Sequence, residues 1–319
     1  MPSSNVSWGA PLIRQNPWYP GQAGGVPGTS NDTGLRLDSN ARVVYVDPNK
    51  VGVSDGRDGT DPNEPLATVA AALTKCRAYC NDTIIVAANS DWTYGDTSVG
   101  RAVEISEEIT VTVPGVRIVG LAPPSSIGVY WKPVTASGIC ITVHAIDVLI
   151  EGFCFWEDVL ATPVAIQSVW DGATMWGDNL TVRNCYFENG FAYGIRLDFA
   201  YNCDIHHNYF EGVSVAAINS MDVEGDTDYA VIHNNIFNGC TAAIDLEDSS
   251  DCTIFENYIY GTAGNTNNFI DLTGGGRNMV ANNFLACTIA QYDTTCSDAA
   301  SGAWLYNHCT DGSPVAPPT

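Results

Sequence analysis

The chain has 319 residues, 36 Asp and Glu against 13 Lys and Arg, and a formal net charge of −23 at pH 7. That balance argues against a nucleic-acid partner, which needs a basic face to meet phosphates. No run of about 20 apolar residues and no basic helix points to a membrane. With 45% apolar residues there is ample material for a core.

Residues 1–40 read as an extended arm. The stretch from Gln15 to Thr29 is rich in Gly and Pro and has no periodicity, so alone it cannot bury enough apolar surface to fold. Trp8, Trp18 and Tyr19 are its anchors. They fasten the arm either to its own domain or to a neighbouring subunit, and the second reading is preferred. The opening Met1 to Asn5 has neither the basic nor the apolar segment of a secretory leader. Synthesis in a cytoplasm is therefore expected, with secretion as the alternative.

Residues 41–90 form a distinct unit: a strand at Val43–Asp47, a turn-rich loop from Asp55 to Pro65, an Ala-rich helix from Leu66 to Cys80, and a strand at Asn81–Val86. Asp55, Asp58 and Asp61, with Gly56 and Gly59 between them, are candidate Ca²⁺ ligands. Their spacing departs from the calcium-loop template, and Asp and Gly also make turns without an ion.

Residues 91–290 repeat. A six-residue phrase reads IEGFCF at Ile150–Phe155, VRNCYF at Val182–Phe187, IHHNYF at Ile205–Phe210, IHNNIF at Ile232–Phe237, IFENYI at Ile254–Ile259 and VANNFL at Val280–Leu285. With a degenerate copy from Ile118, successive starts lie 32, 32, 23, 27, 22 and 26 residues apart. A second phrase begins at Ile141, Ile166, Ile195, Ile218, Ile244 and Ile270. Each repeat thus carries at least two short strands and no amphipathic helix. Propeller blades need about 40 residues or more, so one coil of a parallel β-solenoid fits best. About seven or eight coils at ~4.8 Å each give a rod of roughly 35–40 Å.

The first residue of the phrase and the residue two before it (Val148, Leu180, Cys203, Ala230, Cys252, Asn278) should point inward. Asn278 breaks the apolar rule and suggests a stack that opens there. The fourth position holds Asn208, Asn235, Asn257 and Asn283, an asparagine ladder at a bend. His206, His207 and His233 stand beside it and read as turn hydrogen-bonders rather than metal ligands. Eleven Cys are present, and Cys154, Cys203 and Cys252 read as small apolar core residues. Residues 291–319 form a C-terminal cap and tail, where Cys296 and Cys309 are close enough in sequence to pair. Asp222, Glu224, Asp226 and Asp228 read as a solvated acidic loop. Four Asn-X-Ser/Thr sites, at Asn5, Asn31, Asn81 and Asn179, are expected by chance.

Over roughly residues 41–290 these features resemble the right-handed parallel β-helix superfamily, also called pectin-lyase-like. The resemblance implies an all-β, single-chain right-handed solenoid with an N-terminal capping helix and the extended arm. Lyases of that superfamily use carboxylate-held Ca²⁺ and an Arg or Lys base, and hydrolases use paired carboxylates. The matching residues here are Arg196, Asn219, Asp245 and Asp271 in one outward column and Asp198 and Glu247 in another, with Asp245 and Asp271 about 5 Å apart on adjacent coils. Such carboxylates also recur by chance on an outward face, and no family catalytic motif stands out. No resident cofactor is expected. The resemblance extends to phage virion β-helix proteins. It implies a structural subunit, a capsid decoration or other virion surface protein, forming a trimer and meeting a larger assembly through residues 1–40. The alternatives are a polysaccharide-degrading enzyme or a noncatalytic glycan-binding module, in which Trp131, Trp156, Trp170 and Trp176 would stack on sugars.

Overall fold

A computed structural model of the protein describes residues 41–87, 104–121, 129–157, 161–170, 177–220, 227–260, 268–298, 302–313 and 318. The arm at 1–40, Trp176 and the acidic residues Asp222 to Asp226 lie outside them. Three sheets of ten, nine and eight strands form the molecule, and every pairing between their strands is parallel. The ten-stranded sheet runs from Val43–Val46 to Ala303–Leu305, the nine-stranded one from Glu104–Ser106 to His308–Cys309, and the eight-stranded one from Ile109–Val111 to Cys296–Asp298. The chain visits the three in that rotation, one strand each per coil, and rises through about seven coil-to-coil steps of ~4.8 Å over its three-sided length. The solenoid expected from the repeat is therefore the architecture.

Register stacks like on like. Ile84, Ile118, Ile150, Val182, Ile205, Ile232, Ile254 and Val280 form one column, which ends on Trp304. A second inward column stacks Phe155, Phe187, Phe210 and Phe237 with ring centroids 4.5–5.1 Å apart. Offset aromatic pairs of this kind add about 0.5–1.5 kcal/mol each beyond their burial. The third column runs from Ile109 through Ile141, Ile166, Ile195, Ile218, Ile244 and Ile270 to Cys296. All of these side chains are buried.

The bend after each strand of the ten-stranded sheet needs a left-handed residue. Gly152, Asn184, His207, Asn234, Glu256, Asn282 and Tyr306 supply it, with φ between 53° and 83°. The next residue is the ladder. Asn208 Nδ2 donates to Asn235 Oδ1, Asn235 to Asn257, Asn257 to Asn283 and Asn283 to Asn307, at 3.0–3.1 Å. Each amide also donates to a backbone carbonyl one coil back, and each Oδ1 accepts a backbone N–H from that coil. From Asn208 to Asn283 both side-chain N–H groups and the Oδ1 of each rung have partners, which is what burial of such amides requires. The fifth rung, Asn307, belongs to a seventh copy of the phrase at Trp304–Cys309, hidden in the sequence by Trp at the aliphatic position.

Asn278 does not mark an opening stack. It is buried, accepts from Cys252 N at 2.9 Å and donates to Ser249 O at 3.0 Å. None of the eleven Cys is in a disulfide. Cys203 and Cys252 face the core as expected, but Cys154 lies on the opposite face, in a small buried cluster with Tyr130 and Tyr186. Cys309 does not pair with Cys296; its sulfur stands 3.7 Å from that of Cys287.

Of the helix expected over Leu66–Cys80, only α1, Val69–Leu73, forms. Thr68 caps it, and the Glu107 carboxylate receives the N–H groups of Val69 and Ala70. It stops at Thr74 because the following residues are committed elsewhere. Arg77 reaches Asp82 through its N–H and guanidinium, and Tyr79 adopts φ 58° and bonds Pro114 O. Val69, Ala72 and Leu73 are buried, and α1 packs on Val43–Val46, Thr83–Ala87 and Ile109–Val111. A second helix, α2, Ile289–Thr295, starts at Thr288, whose N–H donates to Gln291 Oε1 at 3.0 Å. No helix among the described residues is long and apolar enough to cross a membrane.

Candidate functional site

The outward column of the eight-stranded sheet is as expected in register: Gln167, Arg196, Asn219, Asp245 and Asp271 succeed one another. Carboxylate oxygens of Asp245, Glu247 and Asp271 lie within 4.8 Å of one another. Asp271 is largely committed: its Oδ1 accepts from Thr273 N and Oγ1 at 3.1 and 2.7 Å, and Asn268 faces its Oδ2 at 3.4 Å. Arg196 is not brought to this pair. It sits two strands away, about 10 Å, with its guanidinium 4.5 Å from the Tyr193 ring centre. Asp198 lies past the end of the same strand as Arg196, where burial raises its carboxyl above the usual value against the lowering pull of a Trp170 hydrogen bond and Arg196. No strand pairing links Asp198 with Glu247. The expected set of Arg196, Asp198, Asp245 and Asp271 thus divides into two neighbourhoods.

Asp55, Asp58 and Asp61 each serve their own turn. Asp55 accepts from Ala67 and Thr68, Asp58 from Thr60, and Asp61 from Asn63. Among the described residues they do not form a cluster close enough to share an ion. The groups that do are the Asp245 set and another: Asp204, His206 and His233.

The second set stands on the outer face of the ten-stranded sheet. Asp204 and His206 lie two apart on one strand, so both point outward, and His233 is the partner of His206 on the next coil. His206 and His233 stack at 4.8 Å and 11°, and His233 stacks on Phe255 at 4.8 Å. Both Nε2 atoms face Asp204, at 3.8 Å from His206 and 3.2 Å from His233. Burial and the neighbouring cations push His206 down to about 4, with Asp204 opposing. Burial also works against charge on His233, but Asp204 and Asn234 outweigh it and raise that ring. Asp204 itself is held below the usual carboxylate value because His233, His206 and Arg183 overcome its burial. Sequence reading placed the three His beside the bend but missed Asp204; the period-2 spacing Asp204–His206 was the available signal.

A third feature also escaped. The fifth position of the phrase points out from the nine-stranded sheet and aligns Tyr130, Cys154, Tyr186, Tyr209, Ile236, Tyr258 and Phe284. Tyr186 stacks on Tyr209 at 5.0 Å and Tyr258 on Phe284 at 4.5 Å. Tyr186 hydrogen-bonds Glu211, and Asn238 donates to the Tyr209 hydroxyl at 3.0 Å. Of the Trp residues expected to meet sugars, Trp131 is wholly buried and donates to Glu107 O. Trp156 is half-buried near Lys132, and Trp170 is partly exposed against Phe199.

The rotation of three parallel sheets around one apolar stack defines the class, and residues 134–285 match the family described as "Right handed beta helix region". The chain has a right-handed parallel β-helix fold. Among solved structures it is similar to a rhamnogalacturonan lyase, at 13% identity and TM-score 0.30 over 76% of this chain and 68% of that one. It is also similar to the Dettilon tailspike protein, at 12% identity and TM-score 0.29 over 83% and 68%. No curated protein matches the chain.

Proposed function

We propose that the protein is a structural β-helix subunit of a larger assembly of the virion-surface kind, a capsid decoration or related subunit, forming a trimer. The observation that carries this reading is the C-terminal end of the rod. There the outer face of the ten-stranded sheet turns apolar: Met279, Leu305 and Tyr306 are 40%, 47% and 74% exposed. They sit on or beside the last two described strands of their sheet, and an apolar patch at a sheet edge invites another chain. The segment 1–40 is a second attachment in this reading. The test is the mass of the full chain by light scattering, alone and as a Leu305→Asp, Tyr306→Ser double variant. The wild type is expected as an oligomer and the variant as a smaller species. A wild type that stays monomeric at every concentration would remove the basis for the reading.

The aromatic column on the nine-stranded sheet favours a second reading, contact with surface glycans. Tyr209 and Tyr258, with Glu211 and Asn238 beside them, offer ring edges and hydrogen-bonding groups on one surface. Under it, Tyr209→Ala and Tyr258→Ala should each weaken binding in a glycan screen about tenfold. If the protein cleaves a polysaccharide instead, an Asp245→Asn, Asp271→Asn double variant should abolish cleavage.

A further inference from the structure

We propose that Asp204, His206 and His233 form a binding site for one divalent transition-metal ion that bridges two adjacent coils.

The hydrogen bonds behind the two imidazoles carry the argument. Asn234 Nδ2 donates to Glu256 Oε2 at 3.1 Å, which turns Asn234 Oδ1 toward His233 Nδ1 at 2.7 Å. His233 Nδ1 must therefore hold a ring proton, and the neutral ring presents a bare Nε2 lone pair on its other side. That lone pair faces Asp204 Oδ1 at 3.2 Å, an oxygen shielded from solvent that has no donor besides this ring in its protonated form. Two lone pairs held face to face repel, and a cation between them replaces the repulsion with two bonds. His206 fits the same scheme. Its Nδ1 lies 2.7 Å from His207 Nδ1, a contact that requires one proton between them. With that proton on His206, its Nε2 lone pair also faces Asp204, at 3.8 Å. Each ring is oriented through Nδ1 and offers Nε2 to one carboxylate, the arrangement by which proteins preset imidazole ligands.

Distances and charge agree. Ligands about 2.0–2.1 Å from a tetrahedral ion stand about 3.3 Å apart, and the contacts of 3.2 and 3.8 Å bracket that value. The nearest fixed cation, Arg183, is occupied by Glu151 through two hydrogen bonds at 2.9 and 3.1 Å. Imidazole with carboxylate suits Zn²⁺, Co²⁺ or Ni²⁺ rather than Ca²⁺. An ion binds in the plane of each ring, so the stacked imidazoles must tilt toward each other on loading. Three protein ligands leave one position for water.

The test is Zn²⁺ titration of the tag-free, chelator-treated full chain by calorimetry at neutral pH, with X-ray absorption of the loaded wild type. Expected are one ion per chain, two imidazole nitrogens and carboxylate oxygen around it, and at least tenfold weaker binding in Asp204→Asn and His233→Gln. No uptake by the wild type, meaning only a proton occupies the gap, would overturn the site. So would a sulfur-ligated ion, or one lost in Asp271→Asn and kept in His233→Gln. Should a variant fail to fold, the absorption spectrum of the wild type decides alone.

Discussion

A thiol walled in by neighbouring coils has no water to stabilise its anion. Burial pushes Cys203, Cys240 and Cys252 up to about 12, so iodoacetamide at pH 8 should leave these three unmodified in the native protein and label them all in guanidinium, read by peptide mass. His206 illustrates the same cost for an imidazole. Its folded value is about 4 against an ordinary 6.5, so the unfolded chain binds the extra proton. Its contribution is present above about 6.5 and is lost as pH falls toward 4. Asp204, His207, His233 and Arg183 face it. His206→Gln should therefore flatten the fall in melting temperature between pH 6.5 and 4. Residue roles were the least legible level in the sequence. Alternation told which side chains point out, but Asp204 and His233 are 29 positions apart and only the coil register joins them.

At the level of elements, the strands and their columns were legible because a parallel coil repeats the same steric demand every turn. The ladder was read as four rungs and has five. Asn257→Ala would leave the backbone N–H and the side-chain amide of Asn235 without their acceptor. At about 1–3 kcal/mol for each buried group left unmet, the loss should be roughly 3 kcal/mol by urea unfolding. Phe210→Ala, in the middle of the ring stack, should cost about 3–5 kcal/mol by the same measurement. Helix lengths were not legible. The Ala-rich pattern extends beyond Leu73, but the tertiary demands of Arg77 on Asp82 and Tyr79 on Pro114 outweigh local propensity.

For the whole molecule, the repeat set the architecture and told little about its use, since a solenoid stabilises itself coil by coil whatever its outer face carries. Each coil covers the previous one, so the final coil matters out of proportion to its size. Truncation after Asp298 would uncover the Val280 column and leave Asn283 without Asn307. That shortened chain is expected to aggregate, seen as rising light scattering at temperatures where the full chain stays clear. The same end carries the apolar residues assigned to assembly, so stability and attachment share one surface.

The asparagine ladder also has a direction. Asn208, Asn235, Asn257 and Asn283 each pass a side-chain N–H to the next rung toward the C-terminal end. Five amide dipoles are thereby aligned along the rod, giving a symmetric-looking column an electrical head and tail. Among the described residues Asn307 has no further rung to donate to. In a chain of net charge −23, the column thus turns its positive, N–H end toward the last coils and its carbonyl end toward the first.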